Sequence, residues 1–168
     1  QRQMCIRDRR YMTKTQKKTA DFMEGCMELG GLLGDWQEDE IIELKKYGHA
    51  LGMAFQITDD IMDYRETTET TGKPVGNDLR EGLLTYPLLS IVNDGNKDKL
   101  LEDIKGLNNG GNEQDIIDYV VAQGGIDNTL AVADKYCKDA LAALAAVRDF
   151  PGKEFLVMAV ENLADRKV

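Results

Sequence analysis

The 168 residues are enough for one domain with a hydrophobic core, and a composition of 42% hydrophobic and 30% charged residues excludes disordered and collagen-like classes. A formal charge of −9 argues against nucleic acid or an anionic membrane surface as a general partner, so any bound phosphate must be met by local lysines or by metal. Cys5, Cys26 and Cys137 are isolated and odd in number, which fits a reducing cytoplasm, and no signal-peptide pattern or apolar run of about 18 residues marks a membrane protein.

Residues 1–10 carry no apolar period. Met4 to Arg9 resembles a translated sequencing-adapter remnant, so 1–10 is set apart as an artefactual leader and the domain is expected over 11–168. From Tyr11 to Leu33, Phe22, Cys26, Leu29 and Leu33 recur at helical spacing. Glu38 or Asp39 begins a second helix that ends between Tyr64 and Glu66. Thr67 to Asp78 is dense in threonine, glycine and proline and reads as a loop. Leu83 to Val92 is a short helix with Pro87 in its first turns, where a missing N–H is tolerated. Residues 97–107 and 113–123 form two amphipathic helices, and Asp127 caps a longer, alanine-rich one that Phe150-Pro151-Gly152 breaks. A last helix starts at Glu154. No hairpin signal or period-2 run appears, so the fold class is all-α.

The chemistry concentrates in Phe55-Gln56-Ile57-Thr58-Asp59-Asp60-Ile61-Met62-Asp63. On a helix Gln56, Asp59, Asp60 and Asp63 share an arc of about 100°, while apolar residues fill the remainder. Carboxylates this close repel one another unless something positive neutralises them. Mg²⁺ fits, since it takes oxygen ligands and is held by one or two carboxylates plus substrate phosphates. A solvated acidic face is the bland alternative, but no Lys or Arg interrupts the stretch between Lys46 and Arg65. Gly48 and Gly52, four apart, mark a face that another backbone can approach closely.

Lys18-Thr19 and Lys73 are candidates to meet diphosphate oxygens, because a compact ammonium suits a point contact with phosphate. The order Lys-Thr, then Phe-Gln-x-x-Asp-Asp-x-x-Asp, then Gly72-Lys73-Pro74-Val75-Gly76-Asn77-Asp78-Leu79 resembles the second half of the trans-isoprenyl diphosphate synthases, the polyprenyl synthetase family. Thr85-Tyr86-Pro87-Leu88 and Gly124-Gly125-Ile126 are weaker echoes. Leu83 departs from the pattern, since many members carry lysine there.

The resemblance implies the C-terminal part of an isoprenoid-synthase-type helical bundle. It implies a magnesium-dependent prenyltransferase of isoprenoid biosynthesis that condenses isopentenyl diphosphate with an allylic diphosphate. Asp59 would ligate Mg²⁺ directly, with Asp60 and Asp63 supporting it partly through water. Lys18, Thr19, Gln56 and Lys73 would contact the allylic diphosphate or the path of the growing chain. A homodimer is implied for the full-length protein. The family's first aspartate-rich motif has no counterpart here, so the chain is expected to be a fragment, inactive alone. The competing expectations are a catalytically silent helical regulatory or interaction subunit and a terpene-cyclising relative, which the Gly72-Lys73-Pro74 loop fits less well.

Overall fold

A computed structural model describes residues 6–65, 76–107 and 109–165, with the side chains of residues 6 and 7 excepted. No strand occurs among the described residues. The helices are α1 (Ile6–Thr15), α2 (Asp21–Leu33), α3 (Glu38–Arg65), α4 (Asn77–Arg80), α5 (Tyr86–Ile91), α6 (Lys97–Leu107), α7 (Glu113–Ala122), α8 (Gly125–Ala145) and α9 (Lys153–Asp165). One turn of π-helix, Gln16–Ala20, joins α1 to α2, and there the Asp21 N–H donates to the Gln16 carbonyl five residues back. The first helix thus begins ahead of the Tyr11 boundary, in a stretch without apolar period.

The chain divides into two compact units, one of Gln1–Tyr11 with Asp59–Thr129 and one of Met12–Thr58 with Leu130–Val168. In the second unit the core forms where Tyr47, Ala50 and Ala54 of α3 meet Cys137, Ala140, Ala143 and Leu144 of α8 and Val160 and Leu163 of α9. Alanines on both α3 and α8 keep side-chain volume small along this contact, so the helices can pack closely. The Tyr47 hydroxyl donates to the Leu156 carbonyl at 2.9 Å, and burial pushes its pKa up to about 12. Trp36, in the turn before α3, lies edge-on to Phe150 and under the Arg148 guanidinium, tying that turn to the α8–α9 connection.

Glycine sets the spacing of α2 against α3. A Cβ on Gly48 would lie 2.6 Å from the Met23 carbonyl oxygen, and one on Gly52 would lie 2.6 Å from the Ala20 Cα. Such distances leave no room for a side chain, which is the close backbone approach that two glycines four apart lead one to expect.

In the first unit, Leu88 and Ile91 of α5, Leu100 of α6 and Ile116, Ile117 and Val120 of α7 are buried. Asn112 caps α7 by accepting from the Gln114 N–H. Three expectations are corrected here. The helix holding Pro87 starts at Tyr86 rather than Leu83, with Pro87 in its first turn. Asn77 and Asp78 open the one-turn helix α4 instead of ending a loop. Asp127 is not a cap, because α8 begins at Gly125 and Asp127 stands inside its first turn, where a carboxylate still favours the helix dipole.

Candidate metal and diphosphate site

α3 brings the acidic residues to one face with unequal exposure. Asp59 is exposed, Asp60 is buried and Asp63 is half-buried. A buried carboxylate needs hydrogen-bond donors, and Asp60 finds one in the Tyr11 hydroxyl, 2.5 Å from its Oδ2. Asp63 accepts the Asn77 N–H at Oδ1 (3.0 Å) and the Asp78 N–H at Oδ2 (3.1 Å). Gly76, in the left-handed region at φ 77°, turns the chain so that these two N–H groups point back at α3, and its own N–H donates to the Asp63 carbonyl. Asp63 thereby anchors the first turn of α4. Burial raises the Asp63 pKa above 3.8, against the lowering effect of the two backbone donors.

Behind Asp60, Tyr64 is buried with its hydroxyl 3.3 Å from Thr85 Oγ1, and burial raises its pKa strongly. The two weaker sequence echoes pack on one another, since a Cβ on Gly125 would lie 2.5 Å from the Pro87 carbonyl oxygen. Arg80 of α4 pairs with Glu113 of α7, holding Glu113 below the ordinary carboxylate range through their hydrogen bond.

In the second unit the Thr19 hydroxyl donates to Gln56 Oε1 at 3.0 Å, joining the Lys-Thr pair to the acid helix. Thr19 belongs to the π-helical turn, and Lys18 beside it is exposed. The structure therefore brings Thr19 to Gln56, and Asp63 to the Gly76–Asp78 turn. Lys73 lies outside the described residues.

Tyr11 has no sequence signal as a partner of Asp60, because the contact is 49 residues long-range. The π turn at Gln16–Ala20 is equally without a sequence signal, since Gln-Lys-Lys-Thr-Ala carries no apolar period in which a shift of phase could register. Asp59, Asp60 and Asp63 do not converge into a three-ligand cage; among the described residues the one such cluster is Asp21, Glu24 and His49. All-oxygen donors with one exposed carboxylate fit a Mg²⁺ ion whose shell is completed by substrate phosphate and water.

The fold is all-α, and its α3 carries three carboxylates on one face. The chain belongs to the polyprenyl synthetase family, whose sequence model matches residues 2–123. It is 33% identical over 156 residues to the octaprenyl diphosphate synthase of Escherichia coli K12, covering 90% of this chain and 48% of that protein. The heptaprenyl diphosphate synthase of Staphylococcus aureus superposes with a TM-score of 0.84 at 28% identity, over 99% of this chain and 52% of that one. A polyprenyl synthase of Caulobacter crescentus, solved with calcium and isoprenyl diphosphate, gives a TM-score of 0.79 at 31% identity, over 94% of this chain and 49% of that one. The chain thus spans about half the length of the relatives it matches. Among the described residues no helix is long and apolar enough to cross a membrane.

Proposed function

We propose that the chain supplies the second carboxylate motif of a trans-prenyltransferase that condenses isopentenyl diphosphate with an allylic diphosphate. The observation that carries this reading is the α3 stripe inside the family-matched segment, with Asp59 outward and its neighbours restrained by Tyr11 and by the Asn77 and Asp78 N–H groups. Asp59 would ligate a Mg²⁺ ion directly, and Asp60 and Asp63 would support it partly through water. When bound, Mg²⁺ neutralises charge on a departing diphosphate. Tyr11 fixes the Asp60 carboxylate, and Asp63 holds the start of α4, which follows the segment carrying Lys73. Thr19 fixes Gln56, while Lys18 and Lys73 add positive charge toward diphosphate oxygens.

As the allylic C–O bond breaks, its electron pair leaves with the stabilised diphosphate and positive charge develops on the allylic carbon. The double bond of isopentenyl diphosphate then attacks that carbon, and a proton is lost to complete the new alkene. Support for the substrates comes from the relatives' names and from the solved complex with isoprenyl diphosphate. Homodimer formation and a cytoplasmic location belong to the same proposal and rest on family membership.

Charge neutralisation shared between two motifs is grossly non-additive, so the 168 residues alone are proposed to be inactive. The test joins them to the complementary half of a near relative and follows radiolabelled isopentenyl diphosphate. Mg²⁺-dependent turnover is expected, with Asp59→Ala and Lys73→Ala each lowering kcat at least about tenfold, or ~1.4 kcal/mol of transition-state stabilisation. Full activity in both variants, or turnover by the 168 residues alone, would overturn the reading.

A further inference from the structure

In the second unit, three side chains meet away from the aspartate stripe: Asp21 and Glu24 of α2, and His49 of α3. One ligand atom from each lies within 4.8 Å of the other two, and His49 Nδ1 is 3.4 Å from Glu24 Oε2. Asp21 and Glu24 stand three apart, hence on the same face of one helix. We propose that these residues form a second metal site, for a borderline divalent cation of the Zn²⁺ class, that clamps α2 to α3.

The backbones carrying the ligands are locked. Gly48, next to His49, rests on Met23 and Glu24, where a Cβ would lie 2.6 Å from the Met23 carbonyl oxygen and 2.9 Å from the Glu24 Cα. Gly52 rests in the same way on Ala20, next to Asp21. A cation between these helices therefore meets ligands whose main chains are already in van der Waals contact, which lowers the ordering cost of binding. Zinc bonds of about 2.0–2.2 Å place ligand atoms about 3–4.4 Å apart, so small side-chain rotations close the set.

One imidazole with two carboxylates is a donor set for Zn²⁺ and its first-row neighbours, whereas Mg²⁺ prefers oxygen alone. Glu24 and His49 also line an open cleft of about 710 Å³, which gives an entry path. Lys45 opposes binding: its Nζ is 2.8 Å from Glu28 Oε1 and 3.9 Å from Glu24 Oε1.

His49 is the sole histidine of the sequence, so a tag-free, ¹⁵N-labelled chain reports on this site without assignment. Zn²⁺ titration is expected to shift the imidazole Nδ1 resonance saturably at one equivalent, and Mg²⁺ at the same concentrations is expected to leave it unmoved. Asp21→Asn and Glu24→Gln should each weaken Zn²⁺ at least about tenfold, since loss of a supporting group alone costs that much at metal sites. Lys45→Ala should tighten it. All three variants alter surface side chains, and circular dichroism verifies their fold. An imidazole that Zn²⁺ does not move, a shift that survives both carboxylate substitutions, or no tightening in Lys45→Ala would overturn the proposal.

Discussion

At the Asp63 carboxylate, burial opposes ionisation while the Asn77 and Asp78 N–H groups and Arg80 favour it, and burial prevails. A carboxyl whose pKa is raised in the folded state holds its proton more tightly there than in the unfolded chain. The contribution of Asp63 to stability is therefore largest in acid and falls as pH rises from 3.8 through the raised value. Asp63→Asn removes that titration. It also replaces one acceptor oxygen by a donor facing an N–H, leaving a hydrogen bond unmade at a cost of about 1–3 kcal/mol. Urea unfolding should show the wild-type advantage over Asp63→Asn shrinking with rising pH across the carboxylate range; a constant difference would mean that Asp63 does not titrate as described. Tyr11→Phe belongs to the same scale. It leaves the buried Asp60 without its short phenolic donor, and chemical denaturation should record a loss of about 1–3 kcal/mol, against no change if the bond is incidental.

At the scale of elements, the glycine contacts make α2 and α3 a fixed pair. Alanine in place of a helical glycine ordinarily stabilises by about 1 kcal/mol, but at Gly48 the new methyl would meet backbone, which cannot rotate away. Overpacking costs of about 1–3 kcal/mol win, so Gly48→Ala is expected to lower the thermal midpoint, and Gly25→Ala, with open space around it, is expected to raise or preserve it. Equal effects at the two positions would contradict the contact. Gly48 and Gly52 made this pairing legible in the sequence, and the length of α3 and the sites of its carboxylates were legible too, because periodicity and uninterrupted acidity survive any packing. What periodicity leaves open is which side faces what. Phe22, Leu29 and Leu33 of α2 mark a helix correctly, yet they are 73%, 56% and 80% exposed, while Met27 packs on the core. The buried side here is written in Ala20 of the π-helical turn and Gly31 of α2, residues too small to register as an apolar stripe. Thr19 could be flagged from its neighbour Lys18, whereas its bond to Gln56 depends on helix placement that no local signal encodes.

For the molecule as a whole, half the length of its relatives is present, and the outward α2 stripe is large apolar surface in contact with water. The purified chain should bind a hydrophobic dye strongly, and Phe22→Ser with Leu33→Ser should reduce that binding; a dye-silent chain would show that the stripe is covered in solution. The proposed function requires that the α3 carboxylates hold a cation only together with diphosphate. Calorimetric titration of the chain with a diphosphate analogue tests it most directly, with and without Mg²⁺, in the wild type and in Asp59→Ala. Binding that requires Mg²⁺ and disappears in Asp59→Ala is the expected result, since Mg²⁺ completes its shell with phosphate oxygens. Binding unchanged by Asp59→Ala, or indifferent to Mg²⁺, would contradict the account.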